Sequence, residues 1–218
     1  MSIDEWVERL AKLDTCAVSD AQDKLGIKGT VLGVLPLYET KRIAGRAVTF
    51  KLKARGAETT VRHLGTAAVE ASDAGDIIVC DNRGRADAAG WGGILSTAAK
   101  AKGVAGVIID GACRDVDEAK DLGLPVFARH AIPLTARGRI VEESTNEPVE
   151  LSGVSVSPGD YVIADNSGVV IVPQARASEV IPEAENIVAR EQAMAKDVLA
   201  GKSVVEVMGI NYEQMLTR

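Results

Sequence analysis

GVAGVIIDGACRDVDEAKDLGLPVFAR, residues 103–129, changes its period twice. GVIID (106–110) is a short apolar run that reads as a buried strand. From about Arg114 to Leu122 the pattern is helical, and PVFAR (125–129) is a second short strand. Strand, helix and strand joined by short connections are the signature of a parallel pair with a covering helix. The same grammar continues upstream. GDIIVCD (75–81) reads as a buried strand, followed by a helix from about Gly90 to Lys102. Together these stretches predict a parallel β-α-β-α-β section.

Outward from that section, GRAVTFKLKA (45–54) alternates like a strand, and TTVRHLGTAAVEAS (59–72) reads as helical. Ile3, Trp6, Val7, Leu10 and Leu13 recur at helical spacing. TCAVSDAQDKLG predicts a second helix, with Thr15 as N-cap and Gly26 as C-cap. Beyond Arg137 the character changes to short strands broken by Gly, Pro and Asn-Ser-Gly turns, expected to be antiparallel. From Arg176 to Ala200 an Ala/Glu-rich run, apolar at Val180, Ile181, Ile187, Val188, Met194, Val198 and Leu199, predicts a long final helix. With no repeat and no long linker, the expectation is a single α/β domain over residues 1–218.

Composition narrows the function. Of 218 residues, 46% are hydrophobic but only 3% aromatic, so the core must be built from Val, Ile, Leu and Ala. A net charge of −6 argues against a general nucleic-acid binder, which usually shows a basic face. The N-terminus lacks a signal-peptide core, and no window approaches the roughly 18 apolar residues of a membrane span. A cytoplasmic protein with no membrane partner is expected. Cys16, Cys80 and Cys113 have no zinc-type spacing and are expected to be buried free thiols.

Loops at strand ends are where α/β folds usually bind ligands. In DNRGRADAAGWGGIL, the Gly92-Gly93 pair would let the amides of Ile94 and Leu95 face an anion at a helix start. A glycine turn serving only chain reversal is the other reading. In DGACRD, Arg114 offers a planar fork for a carboxylate. Asp115 offers a hard oxygen for a magnesium or manganese ion that keeps most of its waters. Glu118 would lie one turn along the same helix face. An Arg-Asp ion pair capping a surface helix explains the same residues equally well.

GWGGILSTAAKAKGVAGVIIDGACRDVDE resembles the RraA-like family, which includes the ribonuclease E regulator and class II aldolases acting on 4-hydroxy-4-methyl-2-oxoglutarate. Gly93, twenty residues, Arg114-Asp115, two residues and Glu118 match its G-x20-R-D-x2-E/D signature. The similarity continues through TCAVSDAQ, AGRAVTF, GDIIVCD, PVFAR and SPGDYVIADNSGVVIVP, nearly the whole chain. It implies a ββα swivelling-type sandwich, a homotrimer or hexamer with sites at subunit interfaces, and a small 2-oxo acid substrate. It also implies Asp115 as the one direct protein ligand of Mg2+ or Mn2+, and Arg114 as the group gripping the substrate carboxylate or keto oxygen. The amides at Ile94 and Leu95, beyond Gly92 and Gly93, would complete the cradle.

One departure bears on activity. Where this chain has Gly93, the family's aldolases carry an Asp that orders the proton-moving water. Retro-aldol cleavage needs a base for the hydroxyl proton, whereas decarboxylation does not. The expectation is a metal-dependent carbon–carbon lyase tilted toward oxaloacetate decarboxylation, with Glu118 ordering the catalytic water. The alternative is a non-catalytic regulator that docks on a ribonuclease or helicase.

Other polar residues are assigned structural roles. His63 and His130 lack metal-ligand spacing. Asp81 and Asp110 are expected to tie turns, with support of the site as a second role, and Asp20 to stabilise its helix. Among Glu179, Glu183, Glu185 and Glu191, Glu191 is the candidate to reach a neighbouring subunit's site, and most of the others should be a solvated face.

Overall fold

From the amino end, the chain forms helices α1 (Glu5–Leu10) and α2 (Thr15–Lys24), then strands β1 (Thr30–Val31), β2 (Leu35–Pro36) and β3 (Ile43–Ala54). Helix α3 (Thr66–Ala71), strand β4 (Ile77–Trp91), helix α4 (Gly93–Lys102), strand β5 (Gly106–Cys113), helix α5 (Val116–Asp121) and strand β6 (Val126–Ala131) follow. Then come strands β7 (Ile140–Thr145), β8 (Val149–Leu151), β9 (Val154–Val156), β10 (Tyr161–Asp165) and β11 (Gly168–Val172), and helices α6 (Ala177–Leu199) and α7 (Val204–Val207). This computed structural model describes residues 4–57 and 63–209.

Strands β3, β4, β5 and β6 lie side by side and parallel. The C-terminal strands pair antiparallel: β10 with β11 and β3, and β8 with β9. The main strand order is β1-β11-β10-β3-β4-β5-β6-β2. Its two end strands are separated in sequence only by residues 32–34, so the sheet must curl until its ends meet.

Side-chain alternation divides the molecule into layers. On β4, Ile77 and Val79 point into the curl, while Ile78 and Cys80 point out beneath the helices. On β5, Ile108 points in and Val107 and Ile109 point out. The outer core includes Ala68 and Val69 of α3, Leu95 and Ala99 of α4, and Ala119 of α5. On β10 and β11 the outward residues Tyr161, Ile163, Val170 and Val172 meet α1, α2 and α6. Strands buried on both faces read as unbroken apolar runs, which is why GVIID and GDIIVCD stood out.

The local boundaries shift for identifiable reasons. Asp14, not Thr15, caps α2, its carboxylate accepting from Ala17 N at 2.9 Å. Thr15 is the first helical residue, and Leu25 rather than Gly26 is the C-cap. The helix expected over 59–72 begins at Thr66, after Gly65, while residues 59–62 lie outside the described residues, as does Ile3 of the first helix. Strands β4 and β5 run past Asp81 and Asp110 through irregular register to Trp91 and Cys113. Cys80 and Cys113 are buried free thiols, but Cys16 is exposed, correcting the expectation for it. Glu183 and Glu185 are not simply solvated: they hold Lys24 at 2.7 Å and Arg9 at 2.6 Å, pinning α6 to α2 and α1. Among the described residues no helix is long and apolar enough to cross a membrane.

Asp165, at the end of β10, anchors α2 by accepting from Thr15 N (3.0 Å) and Thr15 Oγ1 (2.7 Å), and it also accepts from Ser167 N (2.9 Å). Burial pushes its carboxyl up, but these hydrogen bonds outweigh burial and hold it below the ordinary range. Asp165→Ala should cost about 2–3 kcal/mol in urea denaturation near neutral pH. Because the folded pKa is the lower one, this stability is full above the unfolded value of about 3.9. It is lost as pH falls through the folded value, so wild type and variant should converge in acid.

Candidate functional site

Strand β5 delivers Arg114 and Asp115 past its own buried end. Arg114 N–H donates to Trp91 O at 3.0 Å, bringing the end of β5 against the end of β4, where Gly92 and Gly93 open α4. Asp115 adopts a left-handed backbone (φ 56°, ψ 42°) and serves as N-cap of α5. Its main chain thereby leaves the helix, and its carboxylate turns back: Oδ2 accepts from Gly93 N–H at 2.9 Å. Helices α4 and α5 thus start at Gly93 and Val116, not at Gly90 and Arg114 as the periodicity predicts.

Arg114 Nε lies 3.1 Å from Asp115 Oδ1 and 3.0 Å from Oδ2. The guanidinium and carboxylate therefore converge by direct contact, not across a gap. Only Nε is used. Among the described residues both Nη groups of Arg114 are without a partner, as are the amides of Ile94 and Leu95 in the first turn of α4. Two cationic N–H groups and two helix-terminal amides are thus available to an anion.

The glycines give this arrangement its room. A Cβ on Gly92 would sit 2.9 Å from Asp115 Oδ2 and 3.2 Å from Arg114 Cγ. A Cβ on Gly93 would collide with Glu118 Oε2 and lie 3.3 Å from Asp115 Cβ. The carboxylate of Glu118 therefore fills the space above Gly93 that a side chain there would take.

Gly92, Gly93, Ile94, Leu95, Arg114 and Asp115 line one cleft of about 300 Å³. Ile94 is 84% exposed at its rim, whereas Leu95 is buried. Trp91 forms a buried wall, its indole Nε1 donating to Ser96 Oγ at 2.9 Å. His63, Thr135 and Arg137 complete the cleft, and sequence reasoning assigned them no part in it. The basic TARGR stretch was the available signal for Arg137, but only the fold brings it back to Arg114. Glu118 does not line the cleft and borders it through Gly93. His130 is exposed on β6 and lies outside it.

Asp81 and Asp110 face a different cleft. Register sets Lys51, Asp81 and Asp110 side by side on β3, β4 and β5. Asp110 accepts from the Arg129 guanidinium and from Ser152 N (2.9 Å), and Asp81 from Arg83 N (2.9 Å) and Glu150 N (3.4 Å). This ladder ties turns and seats the β8–β9 hairpin over the curled sheet, apart from Arg114. Glu191 is placed near Asp14 and Asp20; burial and these two acids push its carboxyl up. Burial also pushes the Cys113 thiol up to about 12, which removes a thiolate from the neighbourhood at neutral pH.

Among the described residues no three His, Cys, Asp or Glu side chains cluster as a metal cage. The donor set fits a hard, water-rich cation instead. The Asp115 side chain is 28% exposed, and its Oδ1 has only the 3.1 Å contact with Arg114. That leaves lone pairs for one inner ligand of a magnesium-like ion.

A carboxylate and an arginine meet at a helix start on a mixed sheet with a parallel centre, which makes this cleft the candidate site of an α/β fold. Residues 15–171 match the family model RraA-like, described as Aldolase/RraA, and the chain belongs to that family. It is 31% identical over 208 residues to a Halalkalibacterium halodurans protein named "Putative 4-hydroxy-4-methyl-2-oxoglutarate aldolase", covering 94% of this chain and 95% of that one. It is 28% identical to protein DlpA of Legionella pneumophila over 91% of its own length, but spans only 32% of DlpA. Among solved structures, Streptomyces coelicolor RraAS2, titled an unusual member of the RNase ES inhibitor RraA protein family, matches with a TM-score of 0.80 at 27% identity. That match covers 87% of this chain and 95% of RraAS2.

Gly92 has φ −161°, extended backbone open to any residue, so Gly92→Ala should fold. Its methyl group must displace the Asp115 carboxylate. Amide exchange at Gly93 should accelerate, with a stability loss of about 1–2 kcal/mol.

Proposed function

We propose that this protein is a divalent-metal-dependent carbon–carbon lyase acting on short 2-oxo acids. Its reactions would be oxaloacetate decarboxylation and retro-aldol cleavage of 4-hydroxy-4-methyl-2-oxoglutarate. The observation that carries the reading is the convergence of Arg114, Asp115 and the first amides of α4 on one cleft. The aldolase names borne by relatives support it. Asp115 would hold Mg2+ or Mn2+, which when bound supplies a Lewis acid for the 2-oxo group.

The chain's own groups do the rest. The free Nη groups of Arg114 and the amides of Ile94 and Leu95 bind the carboxylate and keto oxygens, so that the C3–C4 bond to be broken is held in one orientation. As that bond breaks, its electron pair moves through C2 to the keto oxygen, and Arg114 stabilises the developing enolate charge. From oxaloacetate the departing fragment is CO2; from the hydroxy acid it is a second molecule of pyruvate. Glu118, which borders the cleft through Gly93, orders the water that returns a proton to C3 and that takes up the hydroxyl proton in the aldol case. The resemblance also implies a homotrimer or hexamer, and an isoleucine as exposed as Ile94 at the cleft rim fits a position covered by a neighbour.

Pyruvate release from oxaloacetate with added Mg2+, corrected for the metal-only background, tests the reading. Arg114→Ala should lose about 10²–10³-fold in kcat. A chelator should abolish turnover and Mg2+ restore it, while borohydride with substrate should trap no adduct. Equal rates in wild type and Arg114→Ala would overturn the lyase and leave a binding protein.

The placement of Glu118 gives a second test. Glu118→Ala should lower aldol cleavage more than decarboxylation, by about 10–10²-fold. Gly93→Asp in the Glu118→Ala background should recover part of it. No recovery, together with an unaffected aldol rate in Glu118→Ala, would remove Glu118 from the mechanism.

A further inference from the structure

The cleft at Arg114 does not end at its far wall. His63, Leu64, Thr135, Ala136 and Arg137 also line an adjoining cleft of about 180 Å³. Arg137 therefore stands where the two spaces meet, with Arg55 further along.

Its backbone is fixed. Arg137 N–H donates to Thr135 Oγ1 at 3.2 Å, Arg139 N to Ala136 O at 2.9 Å, Ile140 N to Ala136 O at 3.1 Å, and Ala89 N to Leu134 O at 3.3 Å. The turn is closed by Gly138 at φ 78°. Its guanidinium, by contrast, has no ion pair or hydrogen bond among the described residues. Neighbouring arginines do: Arg83 holds Glu143, Arg85 holds Asp87, and Arg139 donates to Thr135 O. Asp115, the one acid lining the Arg114 cleft, is already engaged by Arg114, and Glu142, which lines the adjoining cleft, accepts from Gly65 N (2.7 Å) and Thr145 Oγ1 (2.6 Å). An arginine with no partner among the described residues, on a turn held by backbone hydrogen bonds and facing a space whose other end holds Arg114, gives a cleft with two cationic poles.

We propose that Arg137 is the residue that selects substrates carrying a second anionic group, by binding the carboxylate distal to the 2-oxo end. This rests on the lyase reading of the same cleft and adds a consequence to it. In retro-aldol cleavage of 4-hydroxy-4-methyl-2-oxoglutarate, the C5 carboxylate keeps its charge throughout. Its ion pair with Arg137 then binds ground and transition states alike, which lowers KM and leaves kcat unchanged. In oxaloacetate the distal C4 carboxylate is itself lost as CO2, its charge moving through C3 and C2 to the keto oxygen at Arg114. There the Arg137 pair weakens as the bond breaks, so the residue favours binding and opposes turnover. Arg137 thus works in favour of hydroxy-dicarboxylates and against the tilt toward decarboxylation expected from Gly93.

The test uses binding as well as rates, on full-length protein with Mg2+. By calorimetry, wild type should bind 2-oxoglutarate about 10–100-fold more tightly than 2-oxopentanoate, an acid of equal chain length with a neutral end. Arg137→Ala should erase that preference and Arg137→Lys keep part of it, with unchanged thermal midpoints showing that both variants are folded. In turnover, Arg137→Ala should raise KM for the hydroxy-dicarboxylate at constant kcat, and raise KM for oxaloacetate without lowering kcat. A wild type that does not distinguish the two probe acids, or a preference that survives in Arg137→Ala, overturns the assignment whether or not the protein turns over. A wild type that shows the preference but releases no pyruvate would sink the lyase reading alone.

Discussion

Strand β5 and residues 77–82 of β4 have no solvent face. Each lies between parallel neighbours, with one side packed inside the curled sheet and the other beneath helices. A strand so placed can carry a polar side chain along its middle only where that group finds a partner. Polar groups partway along, Asp81 and Asp110, are therefore paired, and the Arg114 cleft lies where the strands end at Trp91 and Cys113. Within the curl, Asp81 and Asp110 satisfy one another's surroundings through Lys51, Arg129 and the hairpin amides. Beyond the irregular stretch that follows, the same strands emerge on the helix side and present Trp91, Arg114 and Asp115. Two polar regions result: one is tied by hydrogen bonds and ion pairs that seat the β8–β9 hairpin, and the other keeps donors at a cleft that have no partner among the described residues.

The second region is economical in its use of groups. A single carboxylate joins two chain segments, because Asp115 accepts from the amide of Gly93 and from Arg114 Nε. Holding the arginine by Nε alone fixes the guanidinium and leaves its outer nitrogens for a ligand. The left-handed backbone at Asp115 makes this possible, since a helical conformation there would carry the carboxylate away from Gly93. Glycine at 92 is needed for the approach of the pair, and glycine at 93 leaves room for Glu118. Membership of a family that contains both aldolases and ribonuclease inhibitors agrees with this division. The scaffold is set by buried strands, and the candidate site by a handful of groups at their ends.

Much of this was legible in the chain itself. Apolar runs of five to eight residues, alternating with helical periods, specify parallel strands and their covering helices because such strands must be buried on both faces. The turn after GVIID had to be special, since an arginine, an aspartate and a glycine end a run that otherwise avoids charge. That placed Arg114 and Asp115 at a strand end, and Gly92, Gly93, Ile94 and Leu95 at a helix start. Periodicity misplaced the helix starts themselves, at Gly90 and Arg114, because caps are decided by which group satisfies the first amides. For α4 that group is Asp115, more than twenty positions away.

What only the folded chain decided concerns residues that meet across elements. Asp81 and Asp110 look in the sequence like the loop residues that follow an apolar run, but both lie within strands, where register turns them into the curl and gives them partners. Cys16 resembles the other cysteines in its apolar setting but falls on the exposed side of α2. Arg137 has only the basic TARGR stretch as a signal and His63 has none; both become part of the cleft because the β6–β7 connection and residues 63–64 line it. Sequence determines which stretches are buried, since burial follows from local composition and period. Which polar groups converge depends on strand order, register and backbone hand at single residues, and those are fixed only when the sheet closes.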